Sequence, residues 1–179
     1  MRDGRVRETS VVMNANDIVQ ERPIRPRRSV LYVPANNARA LAKIGSLAAD
    51  CVIVDLEDSV APDDKDAARL ALADHFAGSG TQDRERIIRI NALDTLWGRD
   101  DLAAAVSCRP DAVLLPKVST PEDILRIEKM MASFRAPETI RLWAMIETPA
   151  GIARCRRIVE TAGNPESRLD CLVAGTNDL

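Results

Sequence analysis

Arg89, Glu147 and Asp178 each sit at or just beyond the end of a short apolar run: RIIRINA (86–92), RLWAMIE (141–147) and LDCLVAG (169–175). Glu147 and Asp178 are carboxylates with no His, Cys or Ser cluster beside them. Such a pair of hard oxygen ligands suits Mg2+ or Mn2+, with waters and substrate completing an octahedron. Arg89 offers a planar fork for a substrate carboxylate. The chemistry is that of a divalent metal and an arginine holding a small, oxygen-rich acid.

Other polar residues fall at the same place on neighbouring runs. CVIVDLED (51–58) ends in Asp55, Glu57 and Asp58, and DAVLLPKV (111–118) carries Lys117 near its end. Asn91 follows Arg89, Thr148 follows Glu147, and Thr176 and Asn177 precede Asp178. One such residue is ordinary strand-end polarity reaching water. Five runs in succession point to a shared ligand face.

The elements that must position these residues alternate. The apolar runs SVLYVPA (29–35), 51–58, 86–92, 111–118, 141–147 and 169–175 read as strands. Between them, 37–49, 63–78, 100–108, a stretch opened by Thr120-Pro121-Glu122-Asp123, and 149–163 read as helices. Thr120 is a cap, and Pro121 takes the first helical position. Alternating strands and helices imply parallel βα units, and strands apolar almost throughout imply that both faces are covered. Two architectures fit: an open doubly wound sheet, or a (β/α)8 barrel, which typically needs ~250 residues. In either one the strand C-termini share the ligand-binding face. Alternation along each strand predicts that Glu147 shares a face with Met145 and Trp143. It likewise groups Arg89 with Ile87 and Asn91, and Asp178 with Thr176 and Ala174.

Several chemistries are disfavoured. His75 is the only histidine. It falls mid-helix, which leaves no Ser-His or Cys-His machinery. AGTND is neither GxGxxG nor a P-loop. Trp97 and Trp143 read as packing residues, and Arg154, Arg156 and Arg157 as a solvated helix face. The net charge of −2 and the 3% aromatic content argue against a nucleic-acid partner. No apolar run approaches the ~20 residues of a membrane span. Cys51, Cys108, Cys155 and Cys171 match no zinc spacing and read as reduced thiols, so a cytoplasmic location is expected. Residues 1–28 carry seven Arg and two Pro. They read as a polar arm, mobile or an oligomer contact, ahead of a catalytic domain over 29–179.

RSVLYVPANN (28–37), DCVIVDLEDSVAPDDK (50–65), RIN (89–91), DAVLLPKV (111–118), MIETPAGI (145–152) and AGTNDL (174–179) occur in this order. Together they resemble the citrate lyase β-subunit-like (CitE-like) branch of the HpcH/HpaI aldolase superfamily. The resemblance runs from about Arg28 to the last residue. It implies an α/β fold of the (β/α)8 TIM-barrel type, truncated here after the sixth strand. It implies a Mg2+-dependent carbon–carbon lyase acting on citryl-, malyl- or citramalyl-CoA-type thioesters, with a 2-oxo acid released or condensed. By the same resemblance Glu147 and Asp178 are the metal ligands, and Arg89 meets the substrate carboxylate. Arg28, Asp55, Glu57 and Lys65 lie near the pocket; Glu57 and Asp58 orient Arg89, and Arg28 reaches toward the CoA. A homo-oligomer, trimer or hexamer, is implied too, and light scattering would test it. The alternatives are a malyl-CoA-type thioesterase and a non-catalytic fragment. PANN departs from the more frequent PGNN-like turn, and the general acid/base has no candidate.

Overall fold

The computed structural model describes residues 25–77 and 84–176. Six strands are present among them: β1 (Val30–Pro34), β2 (Cys51–Asp55), β3 (Glu85–Arg89), β4 (Ala112–Leu115), β5 (Arg141–Ile146) and β6 (Leu169–Ala174). The helices between them are α1 (Ala38–Lys43), α2 (Lys65–Ala77), α3 (Gly98–Cys108), α4 (Pro121–Ser133) and α5 (Pro149–Glu160). The expected stretch over 37–49 is shorter than the pattern suggested. Its last turn tightens into a 3-10 turn at Ile44–Ser46, where Gly45 and Ser46 are weak helix formers.

Local chemistry sets the helix starts. The Thr120 hydroxyl and the Asp123 carboxylate form a capping box on α4, with Pro121 in the first turn. Thr148 Oγ1 accepts from Gly151 N–H at 2.9 Å and opens α5. Asn37 does the same for α1 through Ala40 N–H at 2.9 Å.

Every strand pairing is parallel, and the sheet order is β1-β2-β3-β4-β5-β6. A doubly wound sheet reverses direction at a switch point; this one never does. The two faces are also unlike. Val52, Val54, Ile88, Val113, Leu115, Leu142 and Ala144 pack with helix residues such as Leu72, Leu102, Ile124, Ile127 and Ile158. Cys51, Ile53, Ile87, Ala112, Leu114, Trp143 and Met145 form a separate cluster to which no helix contributes, joined by Cys171 and Val173. All helices therefore cover one face while the other packs on itself. That is the plan of the singly wound TIM barrel, and it decides between the two expected architectures. Burying each large apolar side chain contributes roughly 1.5–3 kcal/mol, so the helix-covered face is the main stabiliser.

The register of β6 corrects one expectation. Leu142 pairs with Leu169 but Trp143 pairs with Cys171, so the ladder slips at Asp170. Cys171 and Val173, not Ala174, then face the inner cluster. A one-residue slip moves every following side chain to the other face.

The N-terminal ends of the strands are tied by the last residues of the polar arm. Arg25 pairs with Asp111 at 2.7 Å and Arg28 with Asp50 at 2.8 Å. Arg27 bridges Glu85 at 2.7 Å and Asp170 at 2.5 Å, and lies over the Trp143 ring at 4.8 Å. Residues 25–28 thus belong to the folded unit, whereas the rest of the expected arm lies outside the described residues. The four cysteines are free thiols. Burial, reinforced by Glu85, pushes the Cys51 thiol up to about 12. Among the described residues no helix is long and apolar enough to cross a membrane.

Candidate active site at the strand C-termini

The ladder places Asp55 directly opposite Arg89 on adjacent strands. Both side chains point to the inner face, one step beyond Ile53 and Ile87. Arg89 Nε and Nη2 donate to the two Asp55 carboxylate oxygens, each at 2.6 Å. This bidentate fork is almost fully buried, with Asp55 at 1% and Arg89 at 6% exposure. Asp55 also accepts from Glu57 N–H at 2.8 Å and from the Ser59 hydroxyl at 2.5 Å. Burial alone would raise the Asp55 carboxyl; the Arg89 fork more than offsets it and holds it low. Arg89 stays fully protonated, since Asp55, Glu57 and Asp58 outweigh its own burial.

The remaining guanidinium nitrogen, Nη1, faces Glu57 Oε2 at 3.0 Å and Asp58 Oδ2 at 3.3 Å. Glu57 and Asp58 thus both lie within ion-pair distance of Arg89, while Asp55 makes the shorter, two-point contact. Burial raises the Glu57 carboxyl, against Lys117 and Arg89, which lower it. The Tyr32 ring centroid lies 5.1 Å from the Arg89 guanidinium, completing its enclosure.

Glu147 follows β5 on the same inner face and is 4% exposed. Its Oε1 accepts the Lys117 backbone N–H at 2.9 Å. Lys117 takes the left-handed conformation, φ 57°, to aim that N–H. Such backbones in non-glycine residues concentrate at functional sites. The Lys117 ammonium meets Glu57 Oε1 at 3.1 Å. Lys117 therefore joins Glu147 to the Arg89 cluster, a link that its position at a strand end did not reveal.

Gly175 lies against the other Glu147 oxygen. A Cβ there would come within 2.5 Å of Oε2 and 2.6 Å of the Glu147 Cβ. Only glycine leaves the carboxylate where it is. Gly175→Ala is expected to displace Glu147, cost about 1–3 kcal/mol through overpacking, and weaken any Mg2+ response. Urea unfolding with and without Mg2+ checks this; unchanged behaviour in both would refute the close-approach role.

Arg89 and Glu147 line one cavity of about 500 Å3, with Tyr32, Asp55, Asp58, Met145 and Val173 also in its wall. Among the described residues of the cavity wall, the carboxylates Asp55, Asp58 and Glu147 outnumber the one cation, Arg89. That excess of negative charge suits a divalent cation. Glu147 is a fitting hard ligand. The second expected ligand, Asp178, lies outside the described residues. Among the described residues no group of three or more His, Cys, Asp or Glu could hold a metal by itself. A magnesium site of one or two carboxylates plus water and substrate needs no such group.

Three expected residues, Arg28, Lys65 and Asn91, do not join this cluster; the Lys65 ammonium is turned to the Leu56 and Glu57 carbonyls and Asn91 behind it. Arg28 was expected near the pocket and the CoA. It lies instead ahead of β1, in a fork with Asp50 that holds the Asp50 carboxyl down to about 2. That is the N-terminal end of a parallel sheet, opposite the cavity. Asn91 lies past the end of β3, so strand alternation no longer governs it. It turns away from Arg89 to hydrogen-bond Lys65, the Leu56 carbonyl and Asp101.

The chain is similar to several known proteins. Over 154 residues the chain is 43% identical to a (3S)-malyl-CoA thioesterase of Cereibacter sphaeroides, covering 86% of this chain and 50% of that protein. It is 39% identical over 165 residues to the citrate lyase subunit beta of Escherichia coli, covering 89% and 53%. The citrate lyase beta subunit of M. tuberculosis, solved with oxaloacetate and magnesium, superposes with a TM-score of 0.66 at 29% identity, covering 86% and 61%. The chain thus spans about half the length of the curated relatives it matches. Residues 28–179 match the HpcH/HpaI aldolase/citrate lyase family, and the chain belongs to that family.

Proposed function

We propose that this chain carries the carboxylate-clamping, metal-holding part of a Mg2+-dependent lyase acting on a β-hydroxyacyl-CoA of the citryl-, malyl- or citramalyl-CoA kind. The observation that carries the reading is the buried Arg89 fork and the Glu147 carboxylate sharing one cavity at the strand C-termini. Arg89 would take the substrate carboxylate through Nη1. Asp58, whose side chain is 57% exposed, is the partner that gives way to it. Glu147 and Asp178 would hold Mg2+. When bound there, the metal supplies Lewis acidity to the substrate hydroxyl and carboxylate oxygens. Cleavage removes the hydroxyl proton and turns that C–O into the carbonyl of the 2-oxo acid. The electrons of the broken C–C bond pass to the thioester side as an enolate, which then takes a proton. Arg89 offsets the charge on the acid's oxygens throughout.

A second reading is thioester hydrolysis at the same site, favoured by the 43% identity to a malyl-CoA thioesterase. The two differ in product: lyase action yields a free 2-oxo acid with an intact acyl-CoA, whereas hydrolysis yields free CoA thiol and no oxo acid.

The deciding experiment is a thermal-shift titration of the 179-residue chain with Mg2+, with and without pyruvate or oxaloacetate, followed by product analysis on malyl-CoA and citramalyl-CoA. Ligands that bind only the folded state raise the midpoint. A cooperative transition rising with Mg2+, and rising further with the oxo acid, is expected. A cooperative transition indifferent to both ligands would sink the proposal for this chain.

A further inference from the structure

Behind the loop that follows β2 lies a buried polar chain that never reaches the cavity. Lys65, the first residue of α2, is 5% exposed. Its ammonium donates to the Leu56 carbonyl at 2.8 Å, the Glu57 carbonyl at 2.7 Å and Asn91 Oδ1 at 2.8 Å. All three of its hydrogens therefore have partners. Asn91 Nδ2 in turn donates to the Leu56 carbonyl at 2.9 Å and to Asp101 Oδ2 at 2.6 Å. Asp101, fully buried, also takes Arg69 Nε at 2.9 Å. On the other side, Leu56 N–H donates to the carbonyl of Arg89 itself at 2.9 Å. The backbone held this way carries Glu57 and Asp58, which meet Arg89 Nη1.

We infer that Lys65 is a positioning residue: from behind the loop its ammonium pins the Leu56 and Glu57 carbonyls and so aims the carboxylates that hold Arg89. The inference rests on the reading of Arg89 as the substrate-carboxylate clamp. A lysine kept only for ion pairing would face carboxylates, whereas each of these acceptors is neutral. They converge on a point, a geometry that suits a compact ammonium and not the planar fork of an arginine. Burial lowers the Lys65 pKa, while Asp101, Asp55, Glu57 and Asp58 oppose that and favour the charged form. The Trp97 ring lies 5.3 Å from the ammonium and adds to the same effect. Without this donor, two buried carbonyls and the Asn91 amide oxygen each lose a partner, and the loop is free to relax away from Arg89.

The test reads Arg89 directly. Its Nε–Hε resonance is assigned by its disappearance in Arg89→Lys, and its exchange with water is measured in the wild-type chain, Lys65→Met, Lys65→Gln and Leu72→Ala. Leu72 is buried on the same helix, within the helix-covered core. Exchange is expected to accelerate by about tenfold or more in both Lys65 variants, through local opening of the loop. Leu72→Ala should lower the unfolding midpoint and leave Arg89 exchange at the wild-type rate. Lys65→Gln keeps a donor and guards against Lys65→Met failing to fold. A folded Lys65 variant with wild-type exchange, or equal acceleration in Leu72→Ala, overturns the inference. Pyruvate affinity in Mg2+ is followed in parallel and should weaken about tenfold in the Lys65 variants. If the wild-type chain binds no pyruvate while Arg89 exchange responds as stated, the proposed function fails and the positioning role stands.

Discussion

Arg89→Met is expected to weaken oxo-acid capture strongly and to destabilise the fold far more at neutral pH than near pH 4.5. The loss of capture follows from removing the one buried fork in the cavity. A hydrogen bond to a charged group contributes about 1.5–3 kcal/mol, so losing the Nη1 contact weakens binding on the order of 10- to 100-fold. The stability effect comes from what remains. Asp55 is 1% exposed and Glu57 5%, and both would lose their guanidinium partner. Breaking a buried pair from one side costs roughly 3–5 kcal/mol, a large share of a typical domain's ~5–15 kcal/mol.

The direction with pH follows from the two carboxyls. In the wild type Asp55 titrates below its ordinary value. It therefore contributes stability that is present above the unfolded value of about 3.9 and lost as pH falls through the folded one. In the variant, burial, the largest influence on both Asp55 and Glu57, acts without Arg89. The folded value of Asp55 then rises above the unfolded one, and that of Glu57, already raised, rises further. Such groups stabilise below the unfolded value, and that contribution is lost as pH rises through the folded one. The gap between the two proteins should accordingly shrink from pH 7.5 to 4.5. Urea unfolding at both values measures it; a constant gap would show that Asp55 and Glu57 are not held by Arg89.

The alternating strand–helix plan was legible because its physics is local, whereas the choice of a barrel over a doubly wound sheet rested on sheet order and on which face the helices cover. β-branched runs, caps and strand-to-strand spacing gave all six strands and placed Arg89, Glu147 and the 55–58 acids on one end. Two further things were not. Which acid grips Arg89 depends on register: the ladder sets Asp55 opposite Arg89, and no pattern in either strand specifies that pairing. The position of Gly175 against Glu147 depends on the slip at Asp170, which alternation alone predicts with the wrong parity. Arg28 misled for a different reason. It precedes the first strand, so the parallel plan itself places it at the end opposite the cavity, and the family segment it belongs to outweighed that in the expectation. Tyr32 was accessible in principle, since it stands two residues before Pro34 and pairs with the inward-facing Ile53.

The second large effect concerns Glu147. Glu147→Gln keeps the shape of the side chain and should keep the fold, because an amide oxygen can still accept the Lys117 N–H now received by Oε1 at 2.9 Å. That constraint decides the rest. With the oxygen fixed on Lys117, the amide nitrogen takes the place of Oε2, beside Gly175. A hydrogen-bond donor would then stand where a hard cation needs an anionic oxygen. The substitution thus removes a charge and turns its surviving dipole the wrong way. Calorimetric titration is expected to show Mg2+ affinity falling on the order of 100-fold or more, with the unfolding midpoint in metal-free buffer close to wild type. Asp178→Asn should lose Mg2+ in the same way if that residue is the second ligand. Unchanged Mg2+ affinity in Glu147→Gln would remove Glu147 from the metal site. The Arg89 clamp would then be left to recognise an acid without a cation beside it. A loss of affinity accompanied by a collapsed midpoint would instead mean that the charge on Glu147 holds the Lys117 turn in its left-handed conformation, making the carboxylate a structural anchor before it is a ligand.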